Sequence, residues 1–238
     1  MPTVSTKNTA STILLIGASR GLGLAMAADL LEKGWNIVGT VRQSSTPTKL
    51  HELADKFEAR VQIETLDICE QTQIASLRER LSGRKFEMLF VNAGTTNRET
   101  ETIGEVTTDE FIRVMVTNAL APMRVIEALD DLVTESGLIG VMSSGQGSVA
   151  NNVNGMREVY RGSKAALNQF MRSYAARRSE TPRAMVLIAP GWVRTDMGGP
   201  DARLSVEESV PNLVNVLIRK QGAPGLEYLD YLGRTVPW

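Results

Sequence analysis

Short runs of apolar residues alternate with longer amphipathic segments along almost the whole chain. Uninterrupted apolar runs are typical of parallel strands that are buried on both faces, and the segments between them have the apolar spacing of helices. The predicted strands are 12–17, 35–41, 61–67, 86–92, 137–143, 183–190 and 226–232. The predicted helices are 20–33, 49–59, 71–81, 108–132 with an interruption near Pro122, 159–178 and 206–220.

Alternation of this kind predicts an α/β fold, because parallel strands are joined by helices that cross over the sheet in a right-handed sense. We therefore expect a doubly wound, Rossmann-like fold with a mostly parallel central sheet of about seven strands, flanked by helices. No linker or internal repeat divides the sequence. Residues 12–238 are expected to form a single domain, and residues 1–11 a disordered tail.

Charge and residue content argue against several kinds of function. The 238 residues carry 26 Lys and Arg against 27 Asp and Glu, unlike the basic surface of a nucleic-acid-binding protein. His51 is the only histidine and Cys69 the only cysteine, too few for a zinc site built from such ligands, and no Gly-x-Ser-x-Gly motif supports a Ser-His-Asp hydrolase. We expect no metal, and we expect His51 to be exposed on a helix.

No apolar run is long enough to cross a bilayer, and the N-terminal segment lacks the apolar centre of a signal peptide. A single cysteine allows no intramolecular disulfide, which fits a reducing compartment. The sequence therefore predicts a cytoplasmic protein that does not associate with membranes.

A glycine-rich loop, GASRGLG (17–23), links the first predicted strand to the first predicted helix. Gly17 permits a tight turn, Gly21 lets the backbone approach a pyrophosphate, and Gly23 lets the helix pack closely on the strand. The N-terminus of the helix would attract the phosphates. The loop predicts a dinucleotide site, and a glycine-rich turn without a ligand is the alternative.

Two arginines near this loop favour NADP(H) over NAD(H). Folds that bind NAD usually place an acid at the end of the second strand, where this chain has Val41. Arg42 follows Val41, and Arg20 lies within the glycine loop. Two guanidinium groups suit the 2′-phosphate of NADP(H), although two solvated surface arginines are the alternative.

Tyr160 and Lys164 are four residues apart in a predicted helix, which places their Cβ atoms about 5–6 Å apart on one face. A nearby ammonium and the positive nicotinamide of an oxidised cofactor favour the phenolate of Tyr160. Tyr160 can then exchange a proton with a substrate oxygen, while Ser144 donates a hydrogen bond to that oxygen. The predicted reaction is hydride transfer between a cofactor and a carbonyl carbon.

The order of these motifs, from about residue 12 to residue 238, resembles that of the short-chain dehydrogenase/reductase family. The glycine spacing matches, although Ile16 replaces the family's usual Thr. Asn92-Ala93-Gly94 matches the family's Asn-Asn-Ala-Gly, with Val91 in place of the first Asn. The loop before Tyr160, the Pro-Gly-Trp-Val-Arg-Thr-Asp segment at 190–196 and the Val-Pro-Trp end resemble the C-factor-like branch.

The resemblance implies four catalytic residues. Tyr160 would be the acid/base, Lys164 would tune it and bind the ribose, and Ser144 would polarise the carbonyl. Asn118 would hold a water molecule connected to the lysine. Ser143 and Ser148 are alternatives to Ser144.

The resemblance also implies the residues that bind the cofactor. They are Gly17, Ser19, Arg20, Gly21, Leu22, Gly23, Arg42, Asp67, Ile68, Asn92, Ala93, Gly94, Tyr160, Lys164, Pro190, Gly191, Val193 and Thr195. For Asp67 and Asn92-Ala93-Gly94, ordinary turn chemistry at a strand end is the alternative.

The predicted substrate pocket comprises Ser144, Gln146, Met156, Trp192 and Met197, although most of the apolar residues could instead belong to the core. Because few cations lie in this region, we expect a ketone or aldehyde of modest size. The family commonly pairs through helices equivalent to 108–132 and 159–178, which implies a homodimer or homotetramer. The alternative function is a catalytically weak dinucleotide-binding sensor or signalling protein.

Overall fold

The computed structural model describes residues 10–42 and 46–238 and contains a seven-stranded parallel sheet in the order β3-β2-β1-β4-β5-β6-β7. The strands are β1 (Thr12–Ile16), β2 (Asn36–Val41), β3 (Val61–Thr65), β4 (Phe86–Val91), β5 (Val133–Met142), β6 (Ala184–Ala189) and β7 (Gly225–Asp230). The predicted Rossmann-like architecture is confirmed. Residues 1–9 of the predicted tail lie outside the described residues.

Helices cover both faces of the sheet. They are α1 (Gly21–Glu32), α2 (Lys49–Lys56), α3 (Gln71–Arg80), α4 (Thr108–Met115), α5 (Ala121–Leu129), α6 (Glu158–Arg177) and α7 (Val206–Lys220). One apolar core packs α3, α5 and α6 against the sheet, and the other packs α1, α2 and α7 against the opposite face. Burial on both faces explains why the strands are continuous apolar runs in the sequence.

The strand order reverses at β1, which pairs with β2 on one side and with β4 on the other. Loops that leave the carboxyl ends of strands at such a reversal diverge and form a crevice between them, where ligands of open α/β sheets bind. Ile16 is in register with Val91, and Val91 with Val141, so β1, β4 and β5 end at nearly the same level. This arrangement places the loops that carry the predicted site along one edge of the sheet.

The helix predicted over 108–132 is divided into α4 and α5 by a π-helical turn, Val116–Leu120. A short 3-10 turn, Asp130–Leu132, follows α5. The interruption lies just before Pro122, which occupies the first turn of α5. A proline has no backbone N–H to donate to the preceding turn, so it interrupts the regular α-helical hydrogen bonding of a helix that otherwise continues through this point.

The fifth strand begins at Val133, four residues before the predicted start at residue 137. Val133 pairs with Phe86, and the register shifts between Phe86 and Met88, as in a β-bulge. Thr134, Glu135 and Ser136 are polar and partly or fully exposed at this irregular end, so they interrupt the apolar pattern that predicted the strand.

His51 is partly buried rather than exposed, so the prediction for this residue was wrong. Its Nδ1 accepts a hydrogen bond from the backbone N–H of Thr48 at 3.0 Å, and His51 thereby caps the N-terminus of α2. The helix ends at Lys56, earlier than predicted, and Ala59 has a φ of 62° in the turn that leads to β3.

Candidate active site

The loops after β1 and β4 are joined by hydrogen bonds at the carboxyl edge of the sheet. The backbone N–H groups of Asn92 and Ala93 donate to the Ile16 carbonyl at 2.9 and 3.1 Å, and the Asn92 side chain donates to the Gly17 carbonyl at 2.8 Å. The predicted glycine loop and the Asn-Ala-Gly segment therefore lie side by side.

The glycine loop has the close contacts that its predicted role requires. Gly17 has a φ of 88°, and a Cβ atom there would lie 2.9 Å from the backbone N of Ala93. A Cβ atom on Gly23 would lie only 2.0 Å from the Gly17 carbonyl oxygen. At the N-cap of α1, Arg20 makes no capping hydrogen bond with its side chain, so the first N–H groups of the helix have no side-chain cap.

Arg20 and Arg42 differ in their surroundings. Arg20 Nη1 lies 3.0 Å from Asp196 Oδ2 in an exposed ion pair between the glycine loop and the loop after β6. Arg42 is exposed just past β2 and forms no ion pair with another described residue. The sequence analysis did not predict Asp196 as the partner of Arg20, because no local pattern relates two residues so far apart in the chain.

The segment after β3 forms a turn in which the Asp67 carboxylate accepts a local hydrogen bond. Asp67 Oδ1 accepts a hydrogen bond from the Cys69 backbone N–H at 2.9 Å, while the Asp67 N–H donates to Gln73 Oε1 at 2.8 Å. Ile68 is buried in the apolar core. Turn chemistry, the alternative from the sequence, thus accounts for the contacts of Asp67.

Asn118 is fully buried in the π-helical turn and clamps the loop after β4. Its Oδ1 accepts from the Thr95 N–H at 2.8 Å, and its Nδ2 donates to the Thr95 carbonyl at 2.8 Å and to Ser163 Oγ at 2.9 Å. Both ends of the amide are therefore engaged by protein groups. Ser163 was missed in the sequence, although its place between Tyr160 and Lys164 is a signal that could have indicated it.

Tyr160 and Lys164 lie together on the buried face of α6, with exposed fractions of 8% and 3%. Lys164 Nζ donates to the Met142 carbonyl at the end of β5 at 2.8 Å and lies 5.9 Å from the centroid of the Tyr160 ring. A Cβ atom on Gly94 would be 3.5 Å from Lys164 Nζ. Lys164 thus lies close to the loops after both β4 and β5.

Burial dominates the ionisation of this pair. It raises the pKa of Tyr160 above its ordinary value, against the opposing effects of the Ser144 hydroxyl and the Arg157 charge. It lowers the pKa of Lys164 to about 8. Among the described residues, Arg157 rather than Lys164 supplies the charge that opposes this rise. The predicted effect of Lys164 together with an oxidised nicotinamide on the pKa of Tyr160 stays a prediction.

Of the three candidate serines, Ser144 is the one whose hydroxyl acts on Tyr160. Ser143 is buried and donates its hydroxyl hydrogen to Asn168 Oδ1 at 2.6 Å. Ser148 Oγ accepts from the Asn151 N–H at 3.1 Å. Ser144 begins a 3-10 turn, Gly145–Gly147, and its Oγ accepts from the Gln146 N–H at 3.1 Å.

Arg157, whose role the sequence analysis did not predict, is the N-cap residue that precedes α6. It has a φ of 61°, a left-handed conformation that is unusual for a residue with a side chain. Its guanidinium forms an ion pair with Glu99, and its N–H donates to the Glu99 carbonyl at 3.2 Å. Burial lowers the pKa of Arg157, yet its charge still opposes the rise in the pKa of Tyr160. Its position three residues before Tyr160 is the sequence feature that could have indicated a role for Arg157.

The loop after β6 is held by its own hydrogen bonds. Gly191 has a φ of 84°, and a Cβ atom there would lie 2.5 Å from Leu204 Cδ1. Pro190 and Val193 are buried, and the Pro190 carbonyl accepts from Ser209 Oγ at 2.7 Å. Thr195 Oγ1 accepts from the Gly198 N–H at 3.1 Å.

The apolar residues of the predicted substrate pocket are surface residues. Met156, Trp192 and Met197 are all exposed, and none belongs to either apolar core. Gln146 is partly buried, and its Oε1 is buried without a hydrogen-bond partner in the described structure. The core packing that was the alternative for these three apolar residues is therefore excluded.

The described residues include no helix that is both long and apolar enough to cross a bilayer. Nor do three or more His, Cys, Asp or Glu side chains within residues 10–42 and 46–238 come together as ligands for a metal ion.

Residues 11–203 match the sequence profile of a family described as short chain dehydrogenase. A candidate short-chain dehydrogenase/reductase from Burkholderia multivorans, solved with bound NADP, is 65% identical with a TM-score of 0.95, over 97% of this chain and 100% of that one. A carbonyl reductase from Pseudomonas aeruginosa PAO1, in complex with NADP, is 34% identical with a TM-score of 0.89, over 97% and 100% of the two chains. The C-signal of Myxococcus xanthus is 36% identical over 64% of this chain and 92% of its own.

Proposed function

This chain belongs to the short chain dehydrogenase family of oxidoreductases, and we propose that residues 12–238 form one catalytic domain that transfers a hydride between NADP(H) and a carbonyl or alcohol group. The observation that carries the proposal is the joint burial of Tyr160 and Lys164 beside Ser144, at the same edge of the sheet as the glycine loop. A carbonyl reductase of similar structure supports the reaction class.

The residues of the crevice fit NADP(H). Gly17 and Gly23 leave no room for side chains between the loop and its neighbours, and α1 presents N–H groups without a side-chain cap to an anion. Arg20 and Arg42 would hold the 2′-phosphate. The Burkholderia and Pseudomonas chains, both solved with NADP, support this choice of cofactor.

When bound, NADP(H) would supply or accept the hydride, and its oxidised form would add a positive charge beside the site. In the reducing direction Tyr160 donates its phenolic proton to the carbonyl oxygen, since burial keeps the phenol protonated near neutral pH. Ser144 donates a hydrogen bond to the same oxygen, and the charges of Lys164 and Arg157 stabilise the phenolate that is left. A proton from solvent then restores the phenol.

The proposed substrate is a ketone or aldehyde of modest size. Its apolar part would contact Met156, Trp192 and Met197, and Gln146 would face its polar end. The exposure of the three apolar side chains supports this assignment, because side chains outside both cores are free to contact a ligand.

We also propose that a second copy of the chain packs on α4 and α6, giving a homodimer or homotetramer. Phe111, Ile112 and Phe170 are exposed apolar side chains on these two helices. Sedimentation equilibrium tests this: a mass near 26 kDa, that of one chain, would contradict it. A cytoplasmic location stays a prediction from the sequence.

The competing proposal is a catalytically weak sensor or signalling protein, and the similarity to the C-signal of Myxococcus xanthus supports it. The retention and burial of both Tyr160 and Lys164 favour catalysis, because a binding protein needs neither a buried ammonium nor a buried phenol beside its ligand.

Oxidation of NADPH and of NADH, measured with a panel of ketones and aldehydes, tests the proposed function. We expect Tyr160→Phe to lose about 100-fold or more of kcat while its dissociation constant for NADPH stays within about twofold. Tyr174→Phe is the matched control, because it also removes a buried phenol hydroxyl from α6. The Tyr174 hydroxyl donates its hydrogen bond to Asp130, away from the proposed site. A wild type that binds no NADPH and reduces none of the panel would favour the sensor.

Cofactor preference is tested with Arg42→Ala, which should reduce the ratio of kcat/KM for NADPH to that for NADH by about tenfold. Arg203→Ala, which removes an exposed arginine beyond the loop after β6, is the control. An unchanged ratio in Arg42→Ala would show that Arg42 is only a solvated surface residue.

A further inference from the structure

The buried face of α6 carries a third polar residue that the proposed reaction does not use. Tyr160, Lys164 and Asn168 follow one another at intervals of four, so they lie in a row along the helix. Asn168 is only 4% exposed. A buried carboxamide is costly unless its hydrogen bonds are made, so the partners of Asn168 indicate what it does.

Asn168 holds the turn that contains Ser144 at both ends. Its Oδ1 accepts from Ser143 Oγ at 2.6 Å, and its Nδ2 donates to the Gly147 carbonyl at 3.1 Å. A Cβ atom on Gly147 would lie 2.9 Å from Lys164 Cβ and 3.0 Å from Asn168 Nδ2. The turn therefore rests directly on α6, at the level of Lys164.

Tyr228, on β7, anchors the same turn from its other side. Its hydroxyl donates to the Ser144 carbonyl, and the side chain is almost completely buried, with its ring centroid 5.4 Å from that of Trp238. Burial raises the pKa of Tyr228, and hydrogen bonding with Asn168 and Ser143 opposes the rise. Tyr228, Asn168 and Ser143 thus form one buried cluster behind Ser144.

We propose that Asn168 and Tyr228 are positioning residues that hold the backbone of Ser144 so that its hydroxyl faces Tyr160 and the substrate oxygen. This inference rests on the proposed function, because it assigns both residues an effect on turnover through Ser144. An apolar residue would fill the place of Asn168 equally well, but it would leave both ends of the turn unbound.

A double-mutant cycle between Tyr228 and Ser144 tests the proposal. Tyr228→Phe should lower kcat for carbonyl reduction about fivefold, with KM for NADPH unchanged. In a Ser144→Ala background the same change should have no further effect, because Tyr228 acts only through Ser144. Tyr174→Phe, which removes another buried and hydrogen-bonded phenol hydroxyl, should leave kcat unaltered.

Asn168→Ala provides a second test, the pH dependence of kcat/KM, which a loss of packing alone would not change. The Ser144 hydroxyl holds the pKa of Tyr160 down, so a displaced Ser144 should let that pKa rise. The loss of activity at high pH that reports Tyr160, above the step from Lys164 with its pKa of about 8, should then move to higher pH in Asn168→Ala and in Tyr228→Phe, but not in Tyr174→Phe. Circular dichroism and NADPH binding confirm that each variant is folded.

If the wild type is active, additive effects of Tyr228→Phe and Ser144→Ala on kcat would overturn the positioning role. A loss of kcat in Tyr228→Phe no larger than that in Tyr174→Phe would overturn it as well. A wild type without reductase activity would instead overturn the proposed function and, with it, this inference. The two failures are therefore distinguished by the activity of the unmodified protein.

Discussion

The guanidinium of Arg20 and the carboxylate of Asp196 lie 3.0 Å apart, although 176 residues separate them in the chain. Their ion pair joins the glycine loop to the loop after β6, two of the segments assigned to the cofactor. The side chains are 70% and 81% exposed, so water and salt screen the pair and either partner can exchange it for another. Asp196 would therefore compete with the phosphate that we propose Arg20 to hold.

Removal of this competitor should strengthen binding of NADPH. We expect Asp196→Asn to lower KM for NADPH by about two- to fivefold, because an exposed ion pair is weak, and to change KM for NADH less. Steady-state kinetics with both cofactors measure the effect. Asp201→Asn removes another exposed carboxylate nearby and is the control. Equal effects of the two substitutions would point to a general change of charge instead.

The contact between Gly23 and the Gly17 carbonyl predicts a steric effect at the start of α1. Gly23→Ala would place a Cβ atom 2.0 Å from that oxygen, so the helix must move away from the strand. We expect an increase of at least about tenfold in the dissociation constant for NADPH, measured by fluorescence, because the loop would no longer fit the pyrophosphate. Gly104→Ala, at a position with open space, should bind normally.

The clamp made by Asn118 should contribute measurably to stability. Asn118→Leu leaves the Thr95 N–H and carbonyl without their side-chain partners, so we expect the free energy of unfolding to fall by about 2 kcal/mol. Urea denaturation checks this value. The same change at the exposed Asn212 of α7 should lie within about 0.5 kcal/mol of wild type. Comparable losses at both positions would argue against the clamp.

The low pKa of Lys164 predicts a stability that increases with pH. Burial lowers this pKa from 10.5 to about 8, so below pH 8 the folded state bears the full penalty of a buried ammonium. Between about pH 8 and 10.5 the folded protein releases the proton while the unfolded chain keeps it.

Relative to Lys164→Met, the wild type should therefore gain about 2 kcal/mol of unfolding free energy between pH 8 and pH 10. Urea denaturation of both proteins across this range measures the gain. A difference that stays constant with pH would show that Lys164 keeps its ordinary pKa in the folded protein.

The sheet, its flanking helices and the family could be predicted from the sequence, because strands buried on both faces require continuous apolar runs and the glycine loop has a distinctive spacing. The proximity of Tyr160 and Lys164 follows from helical geometry alone. Asn168 continues the same row and could have been found by that reasoning.

Contacts between distant segments could not be predicted in this way. The Tyr228 hydroxyl reaches Ser144 only because β7 lies beside β6, and no local pattern shows this. The cap that His51 forms depends on the orientation of its ring. The ionisation of Tyr160 depends on the balance between burial and nearby charge, which spacing does not determine.

The exposed side chains of Val149, Val153 and Met156 lie outside both apolar cores. A segment that contributes nothing to either core can be exchanged between relatives without loss of the scaffold. Its neighbours Gly147 and Tyr160 are fixed to α6 or belong to it, so the proposed catalytic residues can stay in place while the proposed substrate surface changes. Chimeras that carry a relative's residues 149–156 should therefore change substrate preference while they keep the same reaction.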